Sequence, residues 1–219
     1  MSDIFREVDD EVRQQKLEAF WKKYGNLLIA FAVLLVIGVG AWRFYQHRQQ
    51  QAAEQNAQRY EDAIDLAKAG KFVEAETVFA ELVKDGTKTY KVFARFRNAA
   101  EIAKRDEPSA VKLYESLAID TSVAPLMQGL AKLHAARLLA DKISVDDLTA
   151  RIGQVAVQGN PWRNSARELL GLAKFKAGDL SAASAHFEQI ALDPETPAAM
   201  RERATLLLAQ VRGGLVPVR

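Results

Sequence analysis

The stretch LGLAKFKAGDLSAASAHFEQIALDP, residues 170–194, carries Leu170, Gly171 and Phe175, then Gly178-Asp179-Leu180, then Ala183, Phe187 and Ile190, and it closes on Asp193-Pro194. Packing residues three or four apart mark the buried stripe of a helix, so this is a pair of helices with glycine at the turn between them. Such a hairpin needs Gly at its turn and a small residue where its helices cross. It also needs an aromatic side chain to fill the gap to the next hairpin. Gly70, Ala75 and Phe79 repeat the Gly178, Ala183, Phe187 trio 108 residues earlier, three steps of 36. Ala110 and Tyr114, 35 residues after Ala75 and Phe79, fill the slot between. Self-similarity at such a period points to stacked helical hairpins.

Working outward, the helix breakers fall at Gly70, 85–87, 105–108, 120–125, 141–144, 158–161, Gly178-Asp179, 193–197 and Gly213-Gly214. They predict helix pairs at 44–69/71–84, 88–104/107–118, 123–141/144–157 and 161–177/180–191, closed by a last helix at 196–212. Ala occurs 36 times, and no segment alternates apolar and polar residues with the β-branched bias of a strand, so the class is all-α. Asn160-Pro161 reads as an N-cap followed by proline at the first helical position. The 88–118 pair lacks a turn glycine, and the 123–157 pair departs further from the pattern.

Upstream, Tyr24 to Trp42 is a run of 19 residues without a charge. As a helix it extends roughly 28 Å, close to the hydrocarbon thickness of a bilayer. Trp21, Lys22, Lys23 and Tyr24 before the run, and Trp42, Arg43 and Tyr45 after it, have the amphipathic character of interfacial anchors. The acidic leader and the length of the run disfavour a cleaved signal peptide, so residues 24–45 read as an uncleaved signal-anchor span. Arg13, Lys16, Lys22 and Lys23 outnumber Arg43 and Arg48 across it, which predicts a cytoplasmic N-terminus and an external C-terminal part. Residues 1–23 form an amphipathic leader, with Ile4, Phe5, Val8 and Val12 on one face and Leu17, Phe20, Trp21 and Tyr24 on a second. It reads as a helix lying at the interface, with a docking helix for a partner as the alternative. Residues 46–219 are then the repeat domain.

Composition narrows the function. The 219 residues carry 30 Lys+Arg against 28 Asp+Glu, divided evenly along the chain, so the clustered basic surplus of a nucleic-acid binder is missing. Zero Cys excludes disulfides, thiolate metal sites and cysteine nucleophiles. His47, His134 and His186 are not spaced as a ligand pair. Asp106-Glu107 and Asp146-Asp147 stand where helices begin, favouring the positive end of the helix dipole over acid–base work. No glycine loop is placed to cradle a phosphate, and no serine has a nucleophile-elbow context. No enzyme activity, metal or cofactor is expected.

Leu170-Gly171, Phe175, Gly178-Asp179-Leu180, Ala183, Phe187, Ile190 and Asp193-Pro194 resemble the tetratricopeptide repeat, and Ala63, Leu66, Gly70, Phe72, Ala75, Phe79 and Leu82 make a second match. Ile4-Phe5-Arg6-Glu7-Val8-Asp9, then Trp21-Lys22-Lys23-Tyr24-Gly25, the span and the degenerate hairpins together resemble the YfgM-type ancillary subunits of the SecYEG translocon over the full length. That resemblance implies a bacterial inner-membrane protein with a periplasmic repeat domain. It also implies translocon subunits and periplasmic chaperones as partners.

A hairpin stack offers surface, with the first helix of each pair lining one face. Arg95, Asn98, Arg163, Asn164 and Arg167 are the polar candidates for a peptide-binding face, though each also suits an ordinary solvated helix. Two functions follow: a membrane-tethered interaction module at the export machinery, or a scaffold for envelope assembly or cell division acting through self-association as a homo-oligomer.

Overall fold

The computed structural model describes residues 2–215, with side-chain surroundings for 21–27, 29–31 and 33–213. The leader's apolar faces from Ile4 to Phe20 lie outside those described side chains. Among the described residues the chain is helical without a strand: α1 (Ser2–Lys68), α2 (Phe72–Asp85), α3 (Lys88–Ile102), α4 (Glu107–Ile119), α5 (Pro125–Leu139), α6 (Val145–Ile152), α7 (Arg163–Lys176), α8 (Leu180–Leu192) and α9 (Ala198–Leu215). A 3-10 turn at Gly153–Val155 follows α6. Contacts divide the chain into two compact units, Met1–Gln55 and Asn56–Arg219.

In the first unit, one helix holds a stretch long and apolar enough to cross a membrane. Leu27, Leu34 and Val36 are 68%, 68% and 69% exposed, so this apolar surface is not the buried face of a core helix. The Trp21 ring lies against Gly25, where a Cβ would come within 2.8 Å of it. Lys23 stands 5.3 Å from the centre of the Tyr24 ring and Arg48 5.4 Å from that of Phe44, one cation–π pair near each end of the apolar run.

In the second unit the hairpins pack in chain order around four successive cores. Ala63 and Ala67 of α1 meet Ala75, Phe79 and Leu82 of α2. Ala99 of α3 meets Tyr114 and Leu117 of α4 and Ala131 and Ala135 of α5. Leu133 and Ala136 of α5 meet Leu148 and Ile152 of α6 and Ala166 and Leu170 of α7. Ala183, Phe187 and Ile190 of α8 meet Ala204 and Val211 of α9. Each helix therefore buries apolar surface mainly against its neighbours, as in a solenoid.

The turns explain the glycines. Gly70 and Gly178 have φ of +80° and +81°, a region where a Cβ is strained. The following N–H groups, Lys71 to Leu66 O and Asp179 to Lys174 O, each 3.0 Å, close the turn. The α3–α4 turn manages without glycine. Its Asp106 N–H reaches Ile102 O at 2.8 Å, and the Asp106 carboxylate then caps α4 by accepting from Ser109 N–H at 3.1 Å. Gly171 serves closeness instead of turning: a Cβ there would stand 2.8 Å from Phe187.

Three local expectations are corrected. The helix expected over 144–157 is shorter, because the chain tightens into the 3-10 turn at Gly153. Asn160-Pro161 does not cap α7. The Asn160 side chain accepts from Trp162 N–H at 2.9 Å, making a separate turn, and the helix begins at Arg163. Phe72, placed among the packing residues, is 41% exposed and lies beneath the Lys104 ammonium, 4.5 Å from its ring centre.

Complementary charges also keep the repeat period. Glu107 pairs with Lys142, Glu115 with Arg151, Asp141 with Lys176, and Glu168 with Arg203, each 35 or 36 residues apart. The Trp162 indole N–H donates to Leu126 O, 36 residues earlier, at 2.7 Å. These surface pairs contribute little individually, and they link one hairpin to the next at the repeat period.

Candidate protein-interaction surface

Helix α3 carries Tyr90, Phe93 and Phe96 at three-residue spacing, which sets the three rings along one side of the helix. Tyr60 of α1 stands 6.0 Å from Tyr90 and 6.4 Å from Phe93 between ring centres. Phe96 stands 5.9 Å from Tyr114, and His134 of α5 stacks on Tyr114 at 5.0 Å with the planes only 13° apart. Tyr60, Phe93, Phe96, Tyr114 and His134, with Arg97, Met127 and Leu130, line a hollow of about 230 Å³ among α1, α3, α4 and α5, and Tyr90 packs on its Tyr60 and Phe93 rings. Phe93 is 40% exposed at its mouth.

The hollow is aromatic and carries one charged group. Burial raises the Tyr60 and Tyr114 hydroxyls above the ordinary tyrosine value, so both stay protonated, and the Tyr114 O–H donates to Phe96 O at 3.4 Å. Burial, with a smaller effect from Arg137, lowers His134 below the ordinary histidine value and keeps it neutral at pH 7. Arg97 is steadied by Glu101, whose carboxylate is buried at 3.2 Å from Arg97 Nε and also meets Lys104. An aromatic hollow with one guanidinium in its lining suits an apolar or aromatic side chain of another protein. Among the described residues no group of His, Asp or Glu could hold a metal ion.

The five residues expected on a peptide-binding face divide. Arg95 is half-buried and paired with Asp120 at 2.5 Å, and Asn98 is half-buried on α3. Arg163, Asn164 and Arg167 are corrected: they are buried and committed to Asp193. Arg163 holds its carboxylate through two hydrogen bonds of 2.6 and 2.9 Å, Asn164 Nδ2 donates to it at 3.1 Å, and Arg167 lies 3.4 Å away. Asn164 also donates to Thr196 Oγ1 at 2.8 Å, and Arg167 to Ala156 O at 3.1 Å. The network commits these three side chains to the junction between α7 and the turn into α9.

Of the residues expected to pack, Ala75, Phe79, Ala110, Ala183 and Phe187 are fully buried, and Tyr114 and Leu170 are 3% and 2% exposed. Pro194 is exposed just beyond α8, with its carbonyl accepting from Arg201 at 3.2 Å. Trp21, Lys22, Lys23, Tyr24, Trp42, Arg43 and Tyr45 are all exposed on α1. Sequence reasoning passed over the hollow, although the Tyr90, Phe93, Phe96 spacing was its signal.

The family profile described as a tetratricopeptide repeat-like domain matches residues 18–193. The chain is also similar to a protein of Haemophilus influenzae named ancillary SecYEG translocon subunit, 24% identical over 184 residues, covering 83% of this chain and 88% of the relative. No solved structure matches. A chain that is all-helical among its described residues, with an apolar N-terminal helix, positive-φ glycines at two hairpin turns and this profile over most of its length, belongs to the tetratricopeptide repeat-like domain family.

Proposed function

We propose that the chain is a non-enzymatic, membrane-tethered interaction module that works as an ancillary factor beside the SecYEG translocon. The observation that carries the reading is the aromatic hollow of Tyr60, Phe93, Phe96, Tyr114 and His134, whose lining suits an apolar side chain of a protein partner. The named relative supports the translocon as the partner. In this reading residues 1–23 are a cytoplasmic leader, 24–45 span the bacterial inner membrane, and the repeat domain from 46 onward lies in the periplasm. There it assists newly exported chains together with periplasmic chaperones. Tethering keeps the hollow at high local concentration beside the membrane partner.

Crosslinking in intact membranes tests the reading. Adducts with translocon subunits are expected. Self-adducts alone, or adducts with division proteins, would replace it with an envelope scaffold. A C-terminal tag digested by protease in spheroplasts supports the orientation, and a tag protected until lysis would overturn it.

A further inference from the structure

A second hollow, of about 630 Å³, opens where α2 ends and α3 begins, and it has a different chemistry. Lys88, Lys91 and Arg95, on one side of α3, line it against one carboxylate, Asp120. That carboxylate is already engaged by Arg95 at 2.5 Å, by the Ser122 hydroxyl at 2.6 Å and by Ser122 N–H at 2.9 Å. The acids Glu81 and Asp85 do not line the hollow and share Arg59 at 3.1 Å, which offsets one of their two charges. The first turn of α3 contains no acidic residue, and Thr87 gives it no side-chain cap, so the positive end of the helix dipole opens beside Lys88. Lys91 Nζ rests on the Lys84 carbonyl at 2.9 Å, which leaves its charge uncompensated.

Ile119, next to Asp120, is 80% exposed. Gly86, also lining the hollow, packs against Asn56: a Cβ on Gly86 would stand 3.3 Å from Asn56 Oδ1. Asn56 follows Tyr45, the end of the proposed span, by 11 residues. A chain of that length extends at most about 40 Å whatever its path, which bounds how far Asn56 can lie from the end of the proposed span.

We propose that this hollow binds the phosphate of an anionic lipid headgroup, with Ile119 resting in the interfacial layer beside it. Basic side chains next to an exposed apolar one match the two components of an anionic membrane surface, charge and interfacial depth. The inference rests on the reading of residues 24–45 as a span.

The test uses the full chain carrying Thr121→Cys, the single thiol in a chain without cysteine, labelled with a fluorophore in vesicles containing a headgroup-level quencher. Quenching should rise with the phosphatidylglycerol fraction over phosphatidylcholine, fall at high salt, and weaken roughly five-fold per lysine in Lys88→Gln and Lys91→Gln. Equal quenching in both lipids, or unchanged quenching in the double variant, overturns the proposal. A response to millimolar inorganic phosphate in neutral vesicles, with none to phosphatidylglycerol, also overturns it in favour of a free-phosphate site. Flotation with neutral vesicles reports the anchor separately, and the lipid-dependent response decides the hollow whichever way flotation comes out.

Discussion

Arg163 and Asp193, 30 residues apart, face each other in a buried fork: Nε donates to Oδ2 at 2.6 Å and Nη2 to Oδ1 at 2.9 Å. The pair ties the start of α7 to the end of α8, and Arg201 fastens the start of α9 to the same turn through the carbonyls of Asp193 and Thr196 at 3.3 and 3.0 Å. Three helices are thus held at one polar junction, while Phe187 and Ile190 supply the apolar contact beneath.

The junction predicts acid sensitivity. Arg163, with Glu195 N–H and Asn164, holds the Asp193 carboxyl well below its ordinary value of 3.8. A carboxylate depressed in the folded state stabilises it fully above the unfolded value, and that contribution fades as pH falls through the folded one. The melting temperature should therefore drop steadily below about pH 4. Asp193→Asn should melt lower at neutral pH, because two guanidinium groups lose their counter-charge, and its melting temperature should depend less on pH between about 4 and 2. Melting curves across that range check both.

Phe187→Ala empties a fully buried site and should cost about 3–5 kcal/mol. Gly171→Ala attacks the same contact from the other side. Its methyl would stand 2.8 Å from the Phe187 ring, so overpacking should cost about 1–3 kcal/mol. The two effects should be non-additive in a double variant, and denaturant unfolding measures the coupling.

Two glycines should respond with opposite sign. Gly178→Ala forces a side chain into φ of +81° and should destabilise by about 1–2 kcal/mol. Gly213→Ala, in α9 with nothing within 4 Å of a new Cβ, should stabilise by up to about 1 kcal/mol. Parallel thermal melts of the two variants distinguish turn from helix.

The architecture was legible because Gly, Ala and an aromatic recur at hairpin spacing, and those residues carry the turns and cores. The charges at 35- and 36-residue separation, from Glu107–Lys142 to Glu168–Arg203, repeated the same period unnoticed. Surface charges are too common for one pair to stand out. Arg163, Asn164 and Arg167 misled because a polar residue on a first helix looks solvated until its partner is known, and Asp193 lies a hairpin away. Phe72 misled in the opposite sense, since a cation can cover a ring that the core does not. The hollow needed three dimensions: Tyr60, Phe93 and His134 lie on three different helices.

The aromatic hollow separates binding from stability. Phe93→Ala, at its 40% exposed mouth, should cost less stability than Phe79→Ala, which empties the core for about 3–5 kcal/mol. It should nonetheless lose most partner capture in detergent-solubilised membranes, measured against the melting temperature of each variant.

The most direct measurement replaces Phe93 with a photo-reactive phenylalanine analogue, and Ala80, exposed on α2, with the same group as control. After illumination of intact cells, position 93 should form adducts with translocon subunits that position 80 does not. The same adducts from both positions, or self-adducts alone from position 93, would contradict the hollow as the site through which this chain meets the export machinery.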